Sequence, residues 1–198
     1  MAAKFVKICG LTNYADARFA FEAGADYLGF ILIPGSLRAI EREEFDRIDF
    51  GKKVGVFLNA PIDYVLSFKL DVIQLHGTES EEYIAELRSQ TTCEIWKALP
   101  VVDKASFDFA KDNYKDLTLL VDSEKGGRQC DRVLAGELSK IRPTILAGGL
   151  TPENVGVAIA LGDPIGVDVA GGVESDNDPR KKDIEKIKAF IKEARKNL

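Results

Sequence analysis

Eight short apolar runs recur along the chain: "KFVKIC" from Lys4, "ADYLGFIL" from Ala25, "KVGVFL" from Lys53, "DVIQL" from Asp71, "CEIWKAL" from Cys93, "DLTLLVD" from Asp116, "PTILAG" from Pro143 and "PIGVDVA" from Pro164. Their first residues lie 21, 28, 18, 22, 23, 27 and 21 positions apart. Each interval is long enough for one strand, one helix and two loops. The runs lack period-2 alternation, as expected of parallel strands buried on both faces. Parallel strands joined by helices keep one handedness, and eight of them can close on themselves. The spacing therefore predicts a single (β/α)8 barrel domain over residues 1–198. An open doubly wound sheet is the competing architecture. No Pro/Gly/Ser-rich linker and no low-complexity tract divides the sequence.

Helix signals fill the gaps. "TESE" at 78–81 reads as a capping box before "YIAEL", and "LTPENV" puts Thr151 at an N-cap with Pro152 at the first helical position. In "DIEKIKAFIKEA" the residues Ile184, Ile187, Phe190, Ile191 and Ala194 share one face, and the lysines fall on the others as a solvated surface.

Composition narrows the class of function. Of 198 residues, 45% are hydrophobic, enough for one sizeable core. Lys and Arg total 27 against 32 Asp and Glu, a net charge of -5 with no basic patch, so nucleic acid is not an expected partner. The apolar runs fall far short of the roughly 20 residues that span a bilayer, and the amino terminus has no signal pattern. No membrane partner and a cytoplasmic location are expected. Cys9, Cys93 and Cys130 lack CxxC spacing, and the single histidine leaves no Cys/His zinc cluster to assemble, so the thiols are expected to be free.

A barrel carries its active site at the carboxyl ends of its strands. There the sequence sets Cys9 after the first run, Arg38 in "PGSLR" after the second, His76 after the fourth, Asp122 at the end of the sixth and Asp168 in the eighth. Each also has a purely structural reading: a cysteine as a small buried hydrophobe, an aspartate as a cap, a histidine as a packing residue, an arginine as a solvated loop residue. An unpaired carboxylate flanked by valines, as at Asp168, is harder to explain that way. Two glycine pairs, Gly148 and Gly149 in "AGGLTPEN" and Gly171 and Gly172 in "VAGGVES", follow the last two strands. Loops there, with helix amino termini behind them, can bring N–H groups to a phosphate, which points to a phosphorylated small molecule as partner; the alternative is that the glycines only satisfy tight turns.

"VKICGLT", "GADYLGFI", "GVFLN", "QLHG", "WKAL", "LLVD", "LAGGLTPENV", "GVDVAGGVES" and "KIKAFI", in this order along nearly the whole chain, resemble the phosphoribosylanthranilate isomerase family of tryptophan biosynthesis. The resemblance implies a (β/α)8 barrel, no metal or cofactor, and an Amadori rearrangement of N-(5-phosphoribosyl)anthranilate to 1-(2-carboxyphenylamino)-1-deoxyribulose 5-phosphate. It implies that Cys9 is the general base and Asp122 the general acid. Arg38 takes the anthranilate carboxylate, the backbone of Gly148, Gly149, Gly171 and Gly172 takes the phosphate, and His76 and Asp168 lie in the pocket. A thiolate beside a carboxylic acid reverses the ordinary order of their acidities, about 8.5 and 3.9. Lys7, on the same side of the strand as Cys9, is a candidate for favouring the thiolate. Members of the family occur as monomers or homodimers.

The chain departs from the family pattern in three loops. "PGSLRA" has Gly35 and Ala39 where a lysine and an aromatic are usual. "SEKGGRQCDRV" is shorter than usual after the sixth strand and keeps only Gly126, Gly127 and Asp131 as matches. "VAGG" has Ala170 and Gly171 where two serines are common. A related isomerase of histidine synthesis resembles the chain less, having an aspartate at the Cys9 position and a second phosphate loop. A barrel that only binds phosphorylated metabolites has no use for both a thiol and an acid at its mouth.

Overall fold

Eight parallel strands close into a barrel in chain order, in the computed structural model, which describes residues 4–123 and 128–198. They are β1 (Phe5–Ile8), β2 (Tyr27–Ile31), β3 (Lys52–Phe57), β4 (Val72–Leu75), β5 (Glu94–Pro100), β6 (Thr118–Asp122), β7 (Thr144–Leu146) and β8 (Gly166–Val169). Between them run α1 (Tyr14–Glu22), α2 (Arg42–Asp46), α3 (Ile62–Leu66), α4 (Glu81–Gln90), α5 (Lys104–Asp112), α6 (Arg132–Ile141) and α7 (Val155–Ala160), with α8 (Ile184–Asn197) last. Closure is made by β1, which pairs with β2 through Lys7 opposite Tyr27 and with β8 through Lys7 opposite Asp168. That register sets the lysine of the first strand beside the aspartate of the last. Among the described residues no helix is long and apolar enough to cross a membrane.

Alternation along each strand divides the core in two. One set of side chains, including Ile8, Phe30, Phe57 and Val167, packs outward against the helices. The other fills the barrel. Its floor is an aromatic plug: Phe5 stacks on Trp96 at 5.4 Å, and Tyr27 meets both edge-on at 4.8 and 5.1 Å. Gly166 makes room for it, since a Cβ there would come within 2.5 Å of the Phe5 ring. The floor is thus closed and apolar, and polar side chains have only the upper end to occupy.

Helix starts differ from the sequence reading in two places. The N-cap of α4 is Ser80, which accepts from the Tyr83 N–H, and not Thr78. Residues 77–79 are held elsewhere: the Thr78 N–H donates to Asn59 Oδ1 at 2.7 Å, and Glu79 turns inward to Lys97 at 2.8 Å. The regular part of α7 begins at Val155 rather than Pro152, while Thr151 keeps a capping geometry: its N–H donates to Asn154 Oδ1 at 2.9 Å and its carbonyl accepts from the Val155 N–H at 3.1 Å. In α8, Ile187, Phe190, Ile191 and Ala194 are buried as expected, but Ile184, in the first turn, stays about half exposed. A short antiparallel hairpin, β9 (Glu174–Ser175) with β10 (Asp178–Lys182), was not anticipated. Its strands are polar and lack the apolar pattern by which strands are recognised.

Candidate active site

Cys9 follows β1 directly and is buried, 6% exposed, in the upper barrel. Space for it comes from β2: a Cβ at Gly29 would sit 2.8 Å from Cys9 Sγ and 2.9 Å from Lys7 Cε. Lys7, fully buried, reaches Asp168 Oδ1 at 2.9 Å. Burial opposes the charge on Lys7, but the Asp168 carboxylate and the Cys9 thiol outweigh it, so the lysine stays protonated above its ordinary value. Burial pushes the Asp168 carboxyl up, against the pull of Lys7. The Cys9 thiol is likewise pushed up by burial, with Asp168 adding to the shift while Lys7 and Lys182 oppose it. Lys7 therefore acts in the expected direction, but in the free protein its charge is shared with Asp168 and does not overcome burial.

Asp122, at the end of β6, is held at both oxygens. Oδ1 accepts from the Ser123 N–H at 2.6 Å, and Oδ2 lies 3.3 Å from His76 Nε2, just past β4. Gly148 backs it as Gly29 backs Cys9, for a Cβ there would meet Asp122 Oδ1 at 3.0 Å. The thiol and the carboxyl thus lie at two strand ends, each against a residue without a side chain.

A cleft of about 460 Å³ joins Asp122 and Asp168 to Arg38 and both glycine loops, 147–151 and 169–172. Gly148 and Gly149 adopt φ of +73° and +64°, the left-handed region that glycine enters without strain. Among the described residues their N–H groups find no backbone acceptor. Gly172 permits close approach of the two loops, since a Cβ there would run into the Leu150 carbonyl. A second cavity of about 430 Å³, mostly apolar, opens on the far side of Asp122 and includes His76, Asn59, Leu99, Phe109 and Tyr114. Asp122 sits between the two.

Sequence reasoning missed the partner of Arg38. The guanidinium grips Glu174 with Nε at 2.6 Å from Oε1 and Nη2 at 2.9 Å from Oε2, and Lys182 Nζ lies 3.4 Å from Oε1. The glutamate in "GGVES" and the lysine in "RKKD" were in plain view, but nothing in linear sequence ties either to a loop more than 130 residues earlier. Asp131 caps α6, accepting from the Val133 and Leu134 N–H groups. Gly126 and Gly127 lie outside the described residues. Cys93 donates to the Leu70 carbonyl, and burial together with the Asp122 charge pushes the Cys130 thiol up to about 11, so Cys130 is not poised as a thiolate. Among the described residues no group of three or more His, Cys, Asp or Glu is arranged to hold a metal ion.

Residues 6–193 match the family model of N-(5'-phosphoribosyl)anthranilate (PRA) isomerase. The chain belongs to that family. A PRA isomerase from Geotalea daltonii is 40% identical over 210 residues, covering 98% of this chain and 97% of the relative. The crystal structure of the Thermotoga maritima isomerase superposes with a TM-score of 0.87 at 36% identity, covering 98% of this chain and 99% of that one. A PRA isomerase in complex with reduced 1-(o-carboxyphenylamino)-1-deoxyribulose 5-phosphate superposes with a TM-score of 0.85 at 36% identity, with the same coverage. Family membership accounts for the whole barrel rather than for one motif in it.

Proposed function

We propose that this PRA isomerase family member converts N-(5'-phosphoribosyl)anthranilate to 1-(2-carboxyphenylamino)-1-deoxyribulose 5-phosphate in tryptophan biosynthesis, with Asp122 as general acid and Cys9 as general base. The observation that supports these roles is a cleft that joins Asp122 and Asp168 to Arg38 and both glycine loops, with the Cys9 thiol buried at the end of β1, the strand that pairs with the Asp168 strand. The phosphate rests on the backbone of Gly148, Gly149, Gly171 and Gly172, and Arg38 takes the anthranilate carboxylate. Asp122 gives its proton to the ribose ring oxygen, the C1–O bond breaks, and the nitrogen lone pair moves in to form the iminium ion. The Cys9 thiolate then removes the C2 proton, and the C–H electron pair becomes the C1=C2 bond of the enolamine as nitrogen recovers its lone pair. Loss of the O2 proton and gain of one at C1 complete the aminoketose.

His76 steadies one oxygen of Asp122 and the Ser123 N–H the other, which fixes the direction of proton delivery. Asp168, held by Lys7, faces the cleft for a substrate hydroxyl. The chain acts as one domain over residues 1–198, in the cytoplasm, as a monomer or homodimer. Turnover is followed as loss of substrate fluorescence. Cys9→Ala and Asp122→Asn are each expected to lower kcat by about 10²- to 10⁴-fold while the fold is kept. A folded wild-type protein without turnover would leave the binding of phosphorylated metabolites as the function.

A further inference from the structure

Arg38 stands on an exposed loop that the rest of the fold takes trouble to hold. Arg180 of β10 donates to the Leu37 carbonyl at 2.7 Å, and Glu174 of β9 grips the Arg38 side chain itself. Glu174 is in turn seated by Lys182 of β10, whose fully buried ammonium also donates to the Ala170 carbonyl at 3.0 Å. Gly10 adjoins both cations, a Cβ there lying in ordinary contact at 3.4 Å from Lys182 Nζ and 3.5 Å from Arg38 Cδ, and its φ of +70° is the left-handed turn that glycine enters without strain. The polar hairpin and the glycine of "KICG" thus serve one cluster.

The geometry of the grip is one-sided. Glu174 takes the edge of the guanidinium formed by Nε and Nη2, while Nη1 makes no hydrogen bond among the described residues. A planar guanidinium has a second edge, formed by Nη1 and Nη2, that can take another carboxylate in bidentate fashion. Charge fits as well. Arg38 and Lys182 carry two positive charges against the single carboxylate of Glu174, so even with Cys9 ionised a further carboxylate meets no excess of negative charge in the cluster. A solvated arginine would have to be ordered by substrate, whereas one already fixed binds without that entropic cost.

We propose that Glu174, seated by Lys182, is a positioning residue for Arg38: it fixes one edge of the guanidinium so that the other receives the carboxylate of the substrate. This rests on Arg38 being the carboxylate-binding residue. The opposite reading is that Glu174 competes with substrate for Arg38, and the two predict opposite changes in KM.

Glu174→Asp separates them, because it keeps the charge beside Lys182 but shortens the reach, so both guanidinium contacts cannot be kept. The expected result is a KM raised about tenfold with kcat within about twofold of wild type, the signature of lost ground-state binding. The double variant Arg38→Ala/Glu174→Asp is expected to match Arg38→Ala alone, since Glu174 acts only through the arginine. A KM that stays or falls in Glu174→Asp overturns the proposal and makes Glu174 a bystander or a competitor. If Arg38→Ala itself leaves KM unchanged, it is the assignment of Arg38 that fails. Should Glu174→Asp fold poorly, Glu174→Gln keeps the length with one acceptor oxygen in place of two, and the same comparison of KM with and without Arg38 decides.

Discussion

A thiol that works as a base is asked to ionise where burial resists it. Cys9 is pushed up by desolvation and by Asp168, and the pull of Lys7 and Lys182 does not cancel this. The sign is therefore set: the thiolate fraction grows with pH through and beyond the ordinary thiol range. The rate at which iodoacetamide alkylates Cys9, which reads the thiolate alone and not the protonated Asp122 that turnover also needs, is expected to climb about tenfold per pH unit through neutral pH. A rate already level at neutral pH would show that Lys7 and Lys182 outweigh burial. The Lys7 and Asp168 pair beneath it makes a second demand. Removing one partner of a buried ion pair strands the other, at a cost of about 3–5 kcal/mol. Lys7→Met is expected to lose that much by urea unfolding, and a loss under 1 kcal/mol would remove the pair from the account. At this scale Cys9, Asp122, Arg38 and the glycines were readable, because each sits at the end of an apolar run or in a loop of marked composition. Glu174 and Lys182 were not, since a polar residue in a polar hairpin carries no sign of its partner until the chain is folded.

Elements show the same division between what periodicity reveals and what long-range pairing decides. Eight strands were readable because burial on both faces leaves an unbroken apolar run. The start of α4 shifted by two residues because Thr78 is engaged by Asn59, nineteen residues away, whereas Asn154 bonds the Thr151 N–H from within the turn that leads into α7. Capping chemistry is local only when no distant group claims the same atoms. Asp131 illustrates the local case: its carboxylate accepts from two N–H groups of the first turn of α6 and does not line the cleft. Asp131→Ala is expected to cost about 1 kcal/mol by chemical denaturation and to leave KM unchanged. The converse holds at Gly172, where a Cβ has no room against the Leu150 carbonyl. Gly172→Ala must part the loops after β7 and β8, so it is expected to raise KM several-fold. An unchanged KM there would mean that the phosphate does not bridge the two loops.

Across the whole molecule, the carboxylates that tie distant segments together share one electrostatic direction. Glu79 resists burial by bonding Lys97 and the Asn59 N–H, and Glu174 does so by bonding Arg38 and Lys182; both are held below the usual range. Asp103, the capping residue of α5, is drawn down to about 2 by the Ser106 backbone and side chain and by Arg128. Such groups bind protons less readily folded than unfolded. Their contribution is complete above the unfolded values, about 4, and is lost as pH falls through the folded ones. Asp168 runs the other way, but it is a single group. The urea midpoint is therefore expected to be level near neutral pH and to drop steeply below about pH 4. Glu79→Gln sharpens the test. It strands Lys97, whose side chain is almost wholly buried, so the variant starts lower at pH 7. It also lacks one of the groups whose protonation unfolds the wild type, so the gap must narrow as the pH falls. Two curves that meet near pH 2 would show that the Glu79 to Lys97 tie between the β4 loop and β5 is electrostatic. Curves that stay parallel would show that the glutamine is penalised for its fit alone.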